Sequence, residues 1–162
     1  MQTNMLIGIL GYGEVGKAIA EFYKSAKWQT KIKDLKRDDG LEGAEVLNIC
    51  IPWSEKFIDI VINEIKKVKP KLTIIHSTVA PGTTKKIISK VPDSLKMIVH
   101  SPVRGVHPHL HKGIKTFIKY IGSENKKSGQ IAKKHLEKIG IKTRLVYPAK
   151  TSELAKLFCT TY

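Results

Sequence analysis

Six residues near the start of the chain constrain it most: Gly11-Tyr12-Gly13-Glu14-Val15-Gly16. They follow directly on the apolar run Met5-Leu6-Ile7-Gly8-Ile9-Leu10, the pattern of a strand covered on both faces of a parallel sheet. Beyond them Val15, Ala18, Ile19, Phe22 and Ala26 recur every three or four residues, which predicts an amphipathic helix from about Glu14 to Ala26. Glycines in the pattern G-x-G-x-x-G are common in loops and mean little alone. Between a buried strand and a helix they have separate tasks: Gly11 makes the tight turn, Gly13 lets backbone approach a pyrophosphate, and Gly16 lets helix and strand pack closely. The N–H groups of Gly11 to Gly16 then offer partial positive charge to the phosphates.

The rest of the chain keeps the same alternation. Thr30-Lys31-Ile32-Lys33-Asp34 and Val46-Leu47-Asn48-Ile49-Cys50-Ile51 read as strands, the second bounded by Pro52. Ser54 is placed to cap a helix carrying Phe57, Ile58, Val61, Ile62, Ile65 and Val68, with Pro70 just past its end. Leu72 to Ile75 and Met97 to Val99 are short buried strands around a helix from Thr83 to Lys90. Phe117 to Ile121 alternates as a strand, Ile131, Ala132, Leu136 and Ile139 stripe a helix stopped at Gly140, and Lys142 to Val146 is the last strand. Thr151 or Ser152 is expected to cap a final helix carrying Leu154, Leu157 and Phe158. Alternating strands and helices imply an α/β, Rossmann-type doubly wound fold with a mostly parallel sheet in a single domain. The expected division is a dinucleotide-binding domain over 1–150 and, over 151–162, the start of a connecting helix that is cut off or completed by a partner.

Asp34 ends the second strand 18 residues after Gly16, where an acid accepts hydrogen bonds from the adenosine ribose hydroxyls and repels a 2′-phosphate. NAD is therefore the expected cofactor. Lys36 and Arg37 follow closely, either to bind that phosphate instead or as exposed loop charges.

Lys plus Arg number 29 against 14 acids in 162 residues, a formal charge of +15 that attracts phosphates, nucleic acid or anionic membranes. The basic residues are mostly lysines scattered on predicted helix faces, with no arginine-rich arm, so nucleic acid is not the expected partner. No tract of about eighteen apolar residues and no signal-peptide pattern occurs, which gives a cytoplasmic, non-membrane expectation. Cys50 and Cys159 are expected to be reduced thiols.

Three further segments carry a family resemblance. His76-Ser77-Thr78-Val79-Ala80-Pro81-Gly82-Thr83-Thr84 resembles the S-T-V-x-P-G-T-T segment of the UDP-glucose and GDP-mannose dehydrogenases, and Ser152-Glu153-Leu154-Ala155-Lys156-Leu157 resembles their S/A-E-L-x-K-L helix. Ser101-Pro102-Val103-Arg104-Gly105 stands where that family has N-P-E, and is equally similar to the P-V-S-G segment of the related β-hydroxyacid dehydrogenases. The resemblance implies an NAD-dependent oxidoreductase whose Lys156 stabilises a developing alkoxide, with Thr160 where the family has asparagine. It also implies that Tyr12, Glu14 and Val15 of the turn, Ile51, Pro52 and Trp53 after the third strand, and Ser77 and Thr78 line the cofactor. Arg104 and His107 are then substrate-side candidates for an anionic substrate such as a nucleotide sugar, and the terminal helix is the place for a homodimer. Two departures stand out: Val103 replaces the family's glutamate, and the family's later domain with its catalytic cysteine is not in this sequence. A catalytically silent NAD-binding or sensing module is the alternative they leave open.

His107, His109 and His111 alternate, and on a strand neighbours would lie roughly 7 Å apart on one face. Pro108 interrupts such a strand and no cysteine or acid is interleaved, so a polar loop is expected here and no metal site. His76 and His100 end apolar strands, as an acid or base near the cofactor or as simple strand-edge caps.

Overall fold

The computed structural model describes residues 5–105 and 107–161, and the side chains of 160 and 161 lie outside that description. Eight strands form one sheet: β1 (Leu6–Leu10), β2 (Gln29–Asp34), β3 (Arg37–Asp38), β4 (Val46–Ile49), β5 (Leu72–Ile75), β6 (Ile98–His100), β7 (Lys119–Gly122) and β8 (Thr143–Val146). Their order is β3-β2-β1-β4-β5-β6-β7-β8. The helices are α1 (Glu14–Ser25), α2 (Phe57–Val68), α3 (Thr83–Lys90), α4 (Leu110–Thr116), α5 (Lys126–Lys138) and α6 (Ala149–Thr161).

Two cores sandwich the sheet because the central strands are apolar on both faces. Ile7, Ile9, Ile74 and Val99 pack on one side against α1, α4 and α5 through Ile19, Phe22, Leu110 and Leu136. Leu10, Leu47, Ile49 and Ile75 pack on the other against α2 and α3 through Phe57, Val61, Ile65 and Ile87. From β1 the chain steps outward to β2 and then returns to β4 on the other side of β1. The crevice above β1 and β4 is thus the topological switch point, where open α/β sheets bind ligands.

The structure corrects several local expectations. The polar stretch after Asp34 holds β3, antiparallel to β2 and pinned by Asp39, whose carboxylate accepts from the Ile32 amide and the Arg37 guanidinium. β7 runs antiparallel to β6, which still leaves the sheet mostly parallel, as expected. Ser54 does not cap α2 with its side chain; its carbonyl accepts from the Phe57 amide instead. Neither Thr151 nor Ser152 caps α6, which starts earlier at Ala149, whose amide donates to the Glu124 carboxylate at 3.1 Å. Residues from Leu110 form α4 rather than continuing the polar loop, since Leu110 and Ile114 are buried against α1. Among the described residues no helix is long and apolar enough to cross a membrane.

Candidate functional site

The glycine turn is built as its spacing requires. A Cβ on Gly16 would come within 2.0 Å of the Gly11 carbonyl oxygen, and one on Gly11, at φ +96°, within 2.7 Å of the Cys50 backbone. Those two glycines are there for packing. Gly13 differs, because no atom lies within 4 Å of the position its Cβ would take, and Gly13 is the residue that precedes α1. No side chain caps the start of that helix, which leaves its first-turn N–H groups available to an anion. A pyrophosphate fits there on both steric and electrostatic grounds.

Asp34 closes the outer end of this turn. Its carboxylate accepts from the Tyr12 amide and from the Leu35 amide, which fixes it at the carboxyl end of β2 beside the glycines. Two backbone donors leave acceptor capacity on its oxygens for ribose hydroxyls. Arg37 is held by Asp39, and its guanidinium carbon sits 5.6 Å from the centre of the Tyr12 ring. On the inner side Cys50, Ile51 and Pro52 follow β4. The Ser77 hydroxyl donates to the Ile51 carbonyl at 2.5 Å, stitching the ends of β4 and β5 together. Trp53 is partly exposed and packs on Phe57 with ring centres 5.2 Å apart.

A cavity of about 180 Å³ opens next to the turn, lined by Val15, His76, Ser77, Thr78, His107 and Lys156 among others. Residues from four separate stretches of the chain thus converge on one hollow. Lys156 is half-buried and donates to the Val103 carbonyl at 2.8 Å. Burial lowers the pKa of its amine, with Arg104 adding to the effect and Cys159 opposing it. Arg104 and Lys156 also border a smaller hollow of about 50 Å³ that includes Cys159. Thr160 follows one helical turn after Lys156, and its side chain lies outside the described residues. Cys50 is a buried free thiol, pushed up to about 12 by burial, and Cys159 an exposed one.

The histidines take structural places. His100 donates from Nε2 to the Ser77 carbonyl at 3.0 Å and accepts at Nδ1 from the Ser152 hydroxyl at 2.7 Å. The donor and acceptor roles follow because a carbonyl can only accept. Burial holds its pKa at about 4, so the ring is neutral near pH 7. His76 Nε2 lies 2.8 Å from Asn48 Oδ1, which also accepts from the Tyr23 hydroxyl; His135 Nε2 completes this buried chain 2.7 Å from the Tyr23 oxygen. Burial depresses the His76 pKa well below the usual histidine value. His107 pairs with Glu14 in the first turn of α1, and His111 lies 3.8 Å from Glu21 and against Phe22. His107 and His111 thus meet α1 at separate points, and no metal-holding group occurs among the described residues.

Two residues make contacts that neither motif nor periodicity predicts. Glu153 is buried, and its carboxylate accepts from the Gly82 amide at 2.6 Å, the Thr84 amide at 2.9 Å and the Thr84 hydroxyl at 2.7 Å. It therefore caps α3 from α6 and joins the two signature segments, 69 and 71 residues apart along the chain. Lys119 is buried under the same edge and donates to the Ser101 carbonyl.

A UDP-N-acetyl-D-mannosamine dehydrogenase of Methanocaldococcus jannaschii is 30% identical over 193 aligned positions, covering 100% of this chain and 45% of that protein. This chain is a sequence relative of the sugar-nucleotide dehydrogenases. It spans less than half the length of that relative. No family model matches the chain. The structure of the UDP-N-acetylmannosamine dehydrogenase of Pyrococcus horikoshii superposes with a TM-score of 0.86 at 20% identity, covering 97% of this chain and 50% of that one. A Mycobacterium tuberculosis 3-hydroxyisobutyrate dehydrogenase gives 0.78 at 16% identity, covering 97% of this chain and 59% of its own. The superpositions show a Rossmann-type fold.

Proposed function

We propose that this chain is the NAD-binding part of a sugar-nucleotide dehydrogenase, holding the cofactor over Gly11 to Gly16 while an alcohol on a nucleotide-sugar-like substrate is oxidised. The carrying observation is the open backbone approach at Gly13, in front of the uncapped start of α1 and beside the fixed carboxylate of Asp34. When bound, NAD supplies the carbon that takes the hydride. The protein's own part is to orient and to stabilise charge. Asp34 accepts from the adenosine ribose and disfavours a 2′-phosphate, while Ile51, Pro52, Trp53, Ser77 and Thr78 border the nicotinamide end. Lys156 hydrogen-bonds the substrate oxygen; its lowered amine pKa lets it give or take a proton closer to neutrality than a solvated lysine does. Arg104 and His107, at the rim of the two hollows, face the anionic portion of the substrate. The half-buried lysine in a hollow shared with the cofactor edge supports this reading over the catalytically silent module.

The division at about residue 150, a homodimer through α6 and a cytoplasmic location belong to the same proposal. Leu154 and Phe158 are exposed on α6 and offer an apolar face to further chain or to a second copy.

Calorimetry or fluorescence with NADH tests the reading. Binding by the wild-type chain is expected, weakened about tenfold or more by Asp34→Ala, with the preference over NADPH reduced in that variant. Absence of any NADH binding by the folded wild-type chain sinks the proposal.

A further inference from the structure

The largest hollow among those described runs away from the site above and shares only Tyr12 and Arg37 with it. It is a groove of about 690 Å³ on the outer side of α1, with β2 as its floor and Tyr12, Lys17, Lys24, Lys27, Trp28 and Arg37 around it. It is open because the chain passes from β2 straight into the two-residue β3, so no further helix covers that end of the sheet.

Its chemistry is one-sided. Lys17, Lys24 and Lys27 are exposed and have no carboxylate partner among the described residues. Glu21 is the acid in the wall, and His111 stands 3.8 Å from it. The Tyr12 ring at one end carries Lys17 at 5.8 Å and Arg37 at 5.6 Å from its centre. Trp28 at the other end is only partly buried, packed against Tyr23 and His135. Lysines that look scattered in the sequence are gathered by the fold into one channel with an aromatic residue at each end.

We propose that this groove binds single-stranded nucleic acid, its phosphates along the α1 lysines and its bases against Tyr12 and Trp28. Lys17 and Lys24 are seven residues apart, about 10 Å along the helix, so a single phosphate cannot meet both, whereas a strand with regularly repeated charge can. The aromatic ends favour a ligand with planar bases over an acidic peptide, and cationic grooves with stacking side chains are the usual means of holding single strands.

The test uses the full chain and a labelled oligothymidylate of about 12 nucleotides, followed by anisotropy over a salt series. Lys24→Glu with Lys27→Glu is expected to weaken binding at least tenfold and to reduce the salt slope by about 1.4, while NADH affinity stays as in the wild type. Lys85→Glu with Lys86→Glu makes the same charge change on exposed positions of α3, across the sheet, and is expected to weaken binding less than about twofold. In a Trp53→Phe background Trp28 is the remaining tryptophan, and the strand is expected to quench its emission. The proposal is overturned if the wild type binds no strand at about 50 mM salt, if both charge-reversal pairs weaken binding equally, or if polyglutamate displaces the strand as well as unlabelled oligothymidylate does.

Discussion

Gly13 and Gly16 stand three residues apart in one turn, yet the structure gives them opposite duties. A methyl group on Gly16 collides with the Gly11 carbonyl, which is backbone and cannot move aside without opening the turn. Gly16→Ala is therefore expected to destabilise the chain by more than about 4 kcal/mol, read from the urea midpoint. A methyl on Gly13 meets nothing and its φ of −77° suits alanine. Gly13→Ala should keep the wild-type melting temperature and lose NADH affinity, because the methyl occupies the space through which phosphate approaches. A Gly13→Ala protein that binds NADH normally would refute the cradle. Both duties are legible in the sequence, since the spacing of three glycines between a strand and a helix specifies them. The partner of Asp34 is not: that its carboxylate takes the Tyr12 amide depends on how far β2 extends beside β1.

At the scale of elements, the segments with strong periodicity, α1, α2 and the central strands, form where their apolar repeats place them. The departures have one physical cause, which is partners distant in sequence. Ser54 looks like a helix cap, but its hydroxyl is not used, and α6 takes its cap from Glu124 on the far side of α5. Glu153 is the clearest case, a carboxylate that takes three donors at the start of α3. Its removal leaves the buried Thr84 amide and hydroxyl and the part-buried Gly82 amide without their acceptor, so Glu153→Ala is expected to cost about 2–4 kcal/mol in urea denaturation. Glu153→Gln keeps one acceptor oxygen and should recover part of that loss. Equal stability of wild type and the alanine variant would show that α6 is not clasped to α3. The candidate residues Lys156, Ser77 and Thr78 were identifiable from their motifs, whereas the contact that brings those motifs together was not.

Over the whole molecule, buried titratable groups set the pH response. His100 and His135 are held at about 4 against an ordinary 6.5, both mainly by burial. Between those values the unfolded chain binds more protons, so stability rises with pH from about 4 to 6.5. Lys119 is pushed down to about 7 from 10.5 by the same cause, which extends the rise above pH 7. Above about pH 9 the buried Cys50 thiol and Tyr23 hydroxyl, both raised by burial, act in the opposite sense, because there the native state keeps protons that the unfolded chain has lost. Urea midpoints are thus expected to increase from pH 7 to 9, and Lys119→Met to remove that increase; an unchanged increase in the variant would assign it to other groups. The amine itself was read in the sequence as one more residue of an alternating strand, because nothing local reveals that β7 enters the sheet in reverse.

That reversal decides where the last helix goes. β7 starts beyond the end of β6 and runs back to it, pairing Gly122 with His100, and β8 follows alongside with Val146 opposite Gly122. α6 leaves β8 at this level and climbs, so that Lys156 arrives over the carbonyl of Val103 at the rim. Had β7 entered in the same sense as its neighbour, the exit from β8 would sit at the rim already and the helix would descend along the sheet, carrying its lysine away from the crevice. A single flipped strand in this way works as a ramp, delivering Lys156 to a hollow whose other walls come from Val15 and from the segments that follow β5 and β6.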